Sequence, residues 1–339
     1  MRGGPARALL RLVIYPLAVS LLMLAGSAAY ASQSVPVARI VALTRTQGQL
    51  ANPVPSSKPV PPVTTVLAPS AFDQLRADLG VIAAKSGARV GISLQELNGP
   101  RRTSLSLSGN QSFYAASAYK LPLLMAEAQQ IVSGKASPSD VLCFDPGDAE
   151  DGWFTDYDAG SCFSRGDLAV RTGRYSDNTA AHILVRYLGG PDALNRYAKS
   201  IGMNASALWI PNTTTPDDLT AAWVNEAIGV LGGVAAQQWL YPLLTRTASE
   251  QGIAAGLPAG ATVVHKVGTL SGTEIDSAYV VNGRISYVLS VAVDGIDETA
   301  GWSVIARVSA RIWHYESSRP DFVNPVVKPL APSPRPNRY

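Results

Sequence analysis

The segment from Asp276 to Val293 leaves few folds open. Two runs, Asp276 to Val281 and Ile285 to Val293, flank Asn282-Gly283. Asn-Gly between such runs is the strongest short-range hairpin signal, because a tight strand reversal needs residues that accept positive φ. Ile285, Tyr287, Leu289, Val291 and Val293 alternate along the second run, which puts them on one face of a strand. Thr262 to Lys266 reads as another strand just upstream. Val90 to Leu97 and Thr103 to Leu107 read as two more, joined by the turn Asn98-Gly99-Pro100. Helices bracket these strands. Phe72, Leu75, Leu79 and Ile82 follow the helical period, and Trp302, Ile305 and Ile312 share one stripe. The middle, from about residue 117 to 255, is mostly helical. One helix is predicted from near Asn178 to Gly189-Gly190, which suit a C-cap. Another starts at Thr215-Pro216-Asp217-Asp218, where a capping hydroxyl, a proline at the first position and two acids suit a helix N-terminus. This order predicts an α/β (α+β) fold: a five-stranded antiparallel sheet flanked by terminal helices, with an inserted all-helical lobe.

Composition narrows the function classes. Hydrophobic residues make up 47% of the chain, charged residues 16%, and the net charge is +3. That balance argues for neither a nucleic-acid surface nor an acidic tail. His182, His265 and His314 are scattered, and with Cys143 and Cys162 they give no zinc spacing, so no metal or cofactor is expected. Arg2, Arg7 and Arg11 precede an uncharged run from Leu12 to Ala31, and Ala29-Tyr30-Ala31 has the small-x-small form of a cleavage site. Residues 1–31 read either as a cleaved signal peptide or as an uncleaved membrane anchor, since about 20 uncharged residues can span a bilayer. Either way the domain is expected outside the cytoplasm: secreted, cell-wall-associated or membrane-anchored. Export favours pairing of Cys143 with Cys162, the alternative being two buried thiols. Closing a loop of that size stabilises by roughly 3 kcal/mol in the chain-entropy model. Residues 32–70 form a Pro-rich linker and 319–339 a Pro-rich disordered tail. The folded domain is then 71–318, and a monomer is expected.

Ser117 and Lys120 sit three apart, just before the apolar run Leu121-Pro122-Leu123-Leu124-Met125. On a helix that spacing puts both on one face. A serine hydroxyl needs a base to become a nucleophile, and a lysine can be that base if burial or nearby cations lower its pKa. Unpaired N–H groups at the helix start would help stabilise an oxyanion. In isolation Ser117 reads better as an ordinary N-cap. Two further motifs follow: Ser176-Asp177-Asn178 just before a helix, and Lys266-Val267-Gly268-Thr269 at the end of a strand. This ordered trio resembles the active-site set of serine β-lactamases and penicillin-binding proteins. Ser176-Asp177-Asn178-Thr179-Ala180-Ala181, Gly189-Gly190-Pro191, Thr213-Thr214-Thr215-Pro216 and His265-Lys266 bring the resemblance closest to class A β-lactamases.

The resemblance implies roles. Ser117 would attack an activated amide carbonyl, with Lys120 as proton acceptor and Ser176 as relay to the leaving nitrogen. Asn178 would bind the substrate's side-chain amide and help hold Lys120. Lys266 would depress the pKa of Lys120 and attract the substrate carboxylate. The N–H groups of Ser117 and Thr269 would form an oxyanion hole, and Gly268 would leave room for a backbone running against the substrate. Two departures stand out. Val267 takes the place of the usual threonine. Class A enzymes also carry a longer Ω-loop with a glutamate that activates the deacylating water, whereas Ile201 to Asn212 holds no carboxylate.

Other residues read as structural at this stage. These are His182, His265 and an acidic, solvated loop containing Asp145, Asp148, Glu150, Asp151, Asp156 and Asp158. Trp153, Phe154 and Tyr157 either pack that loop or line a substrate groove. The expected function is a β-lactamase-like serine hydrolase that acts on β-lactam amides through an acyl-serine, with slow deacylation. Its rivals are a D-alanyl-D-alanine peptidase acting on the peptidoglycan stem peptide and a non-catalytic peptidoglycan- or β-lactam-binding homologue. The partner is a small molecule or wall peptide, and no nucleic acid is expected.

Overall fold

Ser70 opens the first helix through a reciprocal cap. Its hydroxyl accepts from Asp73 N (3.1 Å), and the Asp73 carboxylate accepts from Ser70 N (3.2 Å). The structure, a computed structural model, describes residues 70–99 and 102–319. The signal or anchor, all of the linker before Ser70 and the tail beyond Arg319 lie outside the described residues. Arg319 itself is buried and paired with Glu96 and Glu316.

The elements run α1 (Ala71–Ser86), β1 (Arg89–Glu96), β2 (Ser104–Leu107), β3 (Phe113–Tyr114), α2 (Lys120–Val132), β4 (Val141–Cys143), β5 (Cys162–Ser164) and α3 (Arg165–Arg174). They continue with α4 (Asn178–Leu188), α5 (Gly190–Ser200), β6 (Thr213–Thr214), α6 (Pro216–Ala227), α7 (Gly233–Leu240), β7 (Thr262–Leu270), β8 (Thr273–Asn282), β9 (Ile285–Asp294) and α8 (Glu298–Ser317). Five strands form an antiparallel sheet in the order β2-β1-β9-β8-β7. The expected sheet, terminal helices and helical insertion are all present. Two local readings shift. Asn282 pairs with Ile285, so the reversal is made by Gly283-Arg284, with Gly283 at φ +58°. β7 continues through Leu270, so Lys266 to Thr269 lies within the strand.

Both faces of the sheet are covered. Ile285, Tyr287, Leu289, Val291 and Val293 meet Leu75 and Leu79 of α1 and Trp302, Ile305 and Ile312 of α8 in one core. Val264, Ile275, Val288 and Ala292 face the helical lobe in the other. α6 packs closely on that second face because small residues lie beneath it. Thr220 Oγ1 donates to Ser290 Oγ (2.8 Å), and Trp223 Nε1 donates to Ser277 O (3.1 Å). The helix caps are as expected. Asp177 accepts from Ala180 N, Thr215 accepts from Asp218 N, and Gly189 ends α4 at φ +108°.

Cys143 and Cys162 face each other across β4 and β5 and are disulfide-bonded, which closes the 144–161 loop. As expected, that loop is largely solvated: Asp145, Glu150, Asp151, Asp156 and Asp158 are exposed, and only Asp148 is buried. Asp148 pairs with Arg186 and Asp156 with Arg171. Phe154, Tyr157 and Phe163 surround the Arg171 guanidinium, which also binds Asp167.

Within the lobe, α2 is held to α3 by a buried ion pair, Arg165 Nη1 to Glu127 Oε2 at 2.6 Å. Burial pushes the Glu127 carboxyl up, and the guanidinium opposes that rise. Removing one partner of such a pair strands the other in a low-dielectric site. Arg165→Ala is expected to destabilise the fold by about 3 to 5 kcal/mol. Urea unfolding followed by circular dichroism tests this, and a loss below ~1 kcal/mol would contradict it.

Candidate active site

Ser117 lies on a 3₁₀ turn, Ala116–Tyr119, that runs directly into α2. The sequence suggested the first turn of the α-helix itself. The tighter turn starts with Ala116 at φ +45°, a strained value for a residue with a Cβ. The 201–212 loop clamps this turn from one side. Ala115 N donates to Asn212 O (2.8 Å), and Asn212 Nδ2 donates to Ala116 O (3.1 Å). β7 closes it from the other. A Cβ on Gly268 would stand 2.5 Å from Ala115 O and 2.9 Å from Ala118 N, so only glycine lets the strand pass this close.

Lys120 is fully buried at the start of α2. Its Nζ lies 2.9 Å from Ser117 Oγ, 2.6 Å from Ser176 O and 2.5 Å from Asn178 Oδ1. Burial holds its pKa well below the ordinary lysine range and the charge of Lys266 lowers it further, against the pull of Asp177 and Glu150. A neutral amine has two N–H groups and one lone pair. The carbonyl of Ser176 and the side chain of Asn178 take the two N–H groups, which leaves the lone pair for the hydroxyl proton of Ser117.

Lys266 is also buried, and burial brings its pKa down to about 7 against the charge of Asp276. Its Nζ donates to Ser176 Oγ (2.9 Å) and to Val267 O (2.8 Å). Ser176 therefore stands between the two lysines, at φ +58°. Asn178 Nδ2 donates to Asp151 O (2.7 Å), which ties the disulfide-closed loop to the site. Asp177 points away and anchors that loop, accepting from Trp153 N (2.9 Å), Tyr157 Oη (2.7 Å) and Ala180 N (2.8 Å). Val267 packs in the core toward α8. Thr269 is exposed on the same strand.

All seven candidate residues thus come together, from the 3₁₀ turn and the start of α2, the α3–α4 junction and β7. Two cavities meet at Ser117, Asn178 and Thr269. One, of about 600 Å³, adds Trp153, Tyr175, Ser176 and Ser249. The other, of about 330 Å³, adds Tyr114, Glu150, His182, Trp209 and Asn212. A third cavity of about 540 Å³, beside Gln129 and Tyr197, touches none of the seven. Sequence reasoning missed Glu150, His182, Trp209 and Asn212. They come from three separate segments, and no shared motif marks them.

The Beta-lactamase enzyme family model matches residues 74–315. The chain belongs to this family. Among its relatives, β-lactamase CTX-M-25 of Escherichia coli is 28% identical over 235 residues, covering 62% of this chain and 78% of that protein. β-Lactamase OXY-2 of Klebsiella oxytoca is 26% identical, covering 58% and 72%. An ancestral class A β-lactamase structure superposes with a TM-score of 0.66 at 28% identity, covering 71% of this chain and 99% of that one. PBP-A superposes with a TM-score of 0.67 at 24% identity, covering 71% and 95%, a likeness of fold. These neighbours share the class A β-lactamase and penicillin-binding architecture expected from the sequence.

Behind Lys266, His265 sits in a buried charge cluster. Its Nδ1 is 3.0 Å from Asp276 Oδ1, and its Nε2 is 3.1 Å from Glu250 Oε1. Burial alone would lower its pKa, but the two carboxylates outweigh it and raise the value to about 9. A pKa above the unfolded value means that the protonated ring stabilises the fold. That contribution is full below about pH 6.5, the unfolded value, and is lost as pH rises through about 9. The advantage of wild type over His265→Gln is therefore expected to shrink by about 3 kcal/mol between pH 6 and 10. Denaturant melts of both proteins at the two pH values check it, and a pH-independent difference would refute it.

Proposed function

We propose that this chain is a serine hydrolase that acts on β-lactam amides through an acyl-serine intermediate. The observation that carries the reading is the buried Lys120 amine, whose remaining lone pair is available to Ser117. In the first step Lys120 takes the Ser117 proton while Oγ bonds to the lactam carbonyl carbon. The N–H groups of Ser117 and Thr269 receive the oxyanion. The C–N bond then breaks, and Ser176 passes a proton to the departing nitrogen, resupplied from Lys120. Lys266 attracts the substrate carboxylate, and Asn178 binds the amide of the acyl side chain. Penicillin G is bound as an acyl-enzyme by a substituted form of PBP-A, which has the same fold. The disulfide is in keeping with a domain exported to an oxidising compartment. Among the described residues, no helix is long and apolar enough to cross a membrane.

Hydrolysis also needs a water and a base on the ester. The 201–212 loop brings Trp209 and Asn212 to the site and no carboxylate. Loss of the base that this loop supplies in class A enzymes commonly costs ~10² to 10⁴-fold. The same absence supports a second reading, a D-alanyl-D-alanine peptidase, whose acyl-enzyme passes to an amine or to water slowly.

Incubation with benzylpenicillin is expected to open about one equivalent quickly and then turn over slowly. Intact-mass measurement should show one adduct on the wild type and none on Ser117→Ala. Rapid steady turnover with no adduct would sink the reading. Release of D-alanine from a D-Ala-D-Ala peptide would favour the peptidase. Gly268→Ala must push β7 off the nucleophile turn, and a misplacement of about 1 Å can cost ~10²-fold. Its acylation rate is expected to fall by about that factor, with a stability loss of about 1 to 3 kcal/mol from the overpacked contact. An unchanged rate would mean that the close contact is not needed for acylation.

A further inference from the structure

One arm of the cleft holds a carboxylate that none of the proton transfers uses. Glu150 lines the cavity of about 330 Å³ with Ser117, Tyr114, His182, Trp209 and Asn212. Its backbone is fixed at both polar atoms by Thr179. Glu150 N donates to Thr179 Oγ1 (3.0 Å), and Thr179 Oγ1 donates to Glu150 O (2.8 Å). Among the described residues the Glu150 carboxylate has no hydrogen bond and no ion pair.

Nothing in this arm neutralises it. Lys120 is occupied by Ser176 and Asn178 and is held toward the neutral amine. His182 is held toward the neutral ring by burial, which outweighs the charge of Glu150, and it packs 4.5 Å from the Trp209 ring. Lys266 is bound to Ser176 and Val267, at the other cavity. Trp209 and Tyr114 line the same cavity as Glu150, and aromatic faces attract cations. An unpaired carboxylate in a cavity lined in part by aromatic residues suits an alkylammonium ion. In the acyl-serine reading the amide of the acyl group sits on Asn178, which lines both cavities. With the substrate carboxylate drawn to the Lys266 end, the acyl side chain is directed into this arm.

We propose that the Glu150 arm is a subsite for an ammonium group on the acyl portion of the substrate. Glu150 supplies the countercharge, and Trp209 and Tyr114 supply the aromatic faces. The substrate class is then an acyl compound with a free amine: a wall peptide whose residue before D-Ala-D-Ala carries a side-chain amine, or an amino-substituted β-lactam. This rests on the acyl-serine reading, because that reading sets which end of the substrate enters which arm.

Ampicillin and benzylpenicillin differ by one amine, which is protonated at about pH 6. Second-order acylation rates for both drugs, on wild type and Glu150→Gln, read the preference directly. The same pair of proteins is assayed with a lysyl-D-Ala-D-Ala peptide whose lysine amine is free or acetylated, as a competitor of acylation. Wild type is expected to favour the amine-bearing member about three- to tenfold, as for a partly exposed ion pair with cation–π support. Glu150→Gln brings the ratio toward one, and added salt shrinks it in wild type. A preference confined to the peptide pair assigns the subsite to wall peptide, and one confined to the drug pair assigns it to β-lactams. Equal rates within both pairs, or a preference that survives Glu150→Gln, overturns the proposal. So does a variant that keeps the ratio and only slows deacylation of both drugs alike, which would make Glu150 the base. If neither drug acylates the wild type, it is the acyl-serine reading that has failed. Calorimetric binding of the free and acetylated peptides then decides the subsite on its own.

Discussion

The active site depends on keeping one amine dry. Lys120 is buried at the head of α2, and its proton is disfavoured by burial and by a second lysine nearby. Each motif has a part in that. Ser176 and Asn178 provide acceptors for the two N–H groups of a neutral amine, and Ser117 stands at its lone pair. Lys266, from the sheet, adds the repelling charge and grips Ser176 from the other side. Water in this pocket would restore the ordinary pKa, so packing and chemistry are the same problem here. Leu121, Leu123 and Leu124, fully buried along α2, hold the helix that keeps it shut.

The sheet was legible because its signals are local, whereas the seven candidate residues were legible only through the ordered trio of motifs and the family it resembles. Alternation along Ile285 to Val293 reports one buried face, and the core confirms it residue by residue. Thr215-Pro216 reports a helix start, and Thr215 caps Asp218 as expected. Other features were hidden because they depend on contacts between distant segments. The 3₁₀ turn at Ser117 is imposed by Asn212 and β7, not by propensity. The acidity of the 144–161 loop suggested solvent, and most of its acids are exposed, but the burial of Asp148 against Arg186 of α4 could not be read from the loop alone. His182 carried no motif, and its place against Trp209 follows from the path of the 201–212 loop.

In the proposed reading the two cavities divide the labour of recognition. Ser176 and Ser249 mark one end with hydroxyl groups, with the buried Lys266 amine behind Ser176, and Glu150 marks the other with a carboxylate. A substrate with a carboxylate at one end and a cation at the other would be oriented before any bond forms. Charge pairs at either end add little binding energy individually, but a reversed molecule would face like charges at both.

The disulfide between Cys143 and Cys162 gives this division a further meaning. Ser117, Lys120, Ser176 and Lys266 all lie outside the loop it closes. Glu150, Trp153 and the Asp151 carbonyl that holds Asn178 all lie inside it. Reduction would therefore leave the nucleophile and its lysines in place while loosening the wall proposed to choose the substrate. The same polypeptide in a reducing cytosol would carry its reactive group without its full discrimination, and both would be joined only after oxidation.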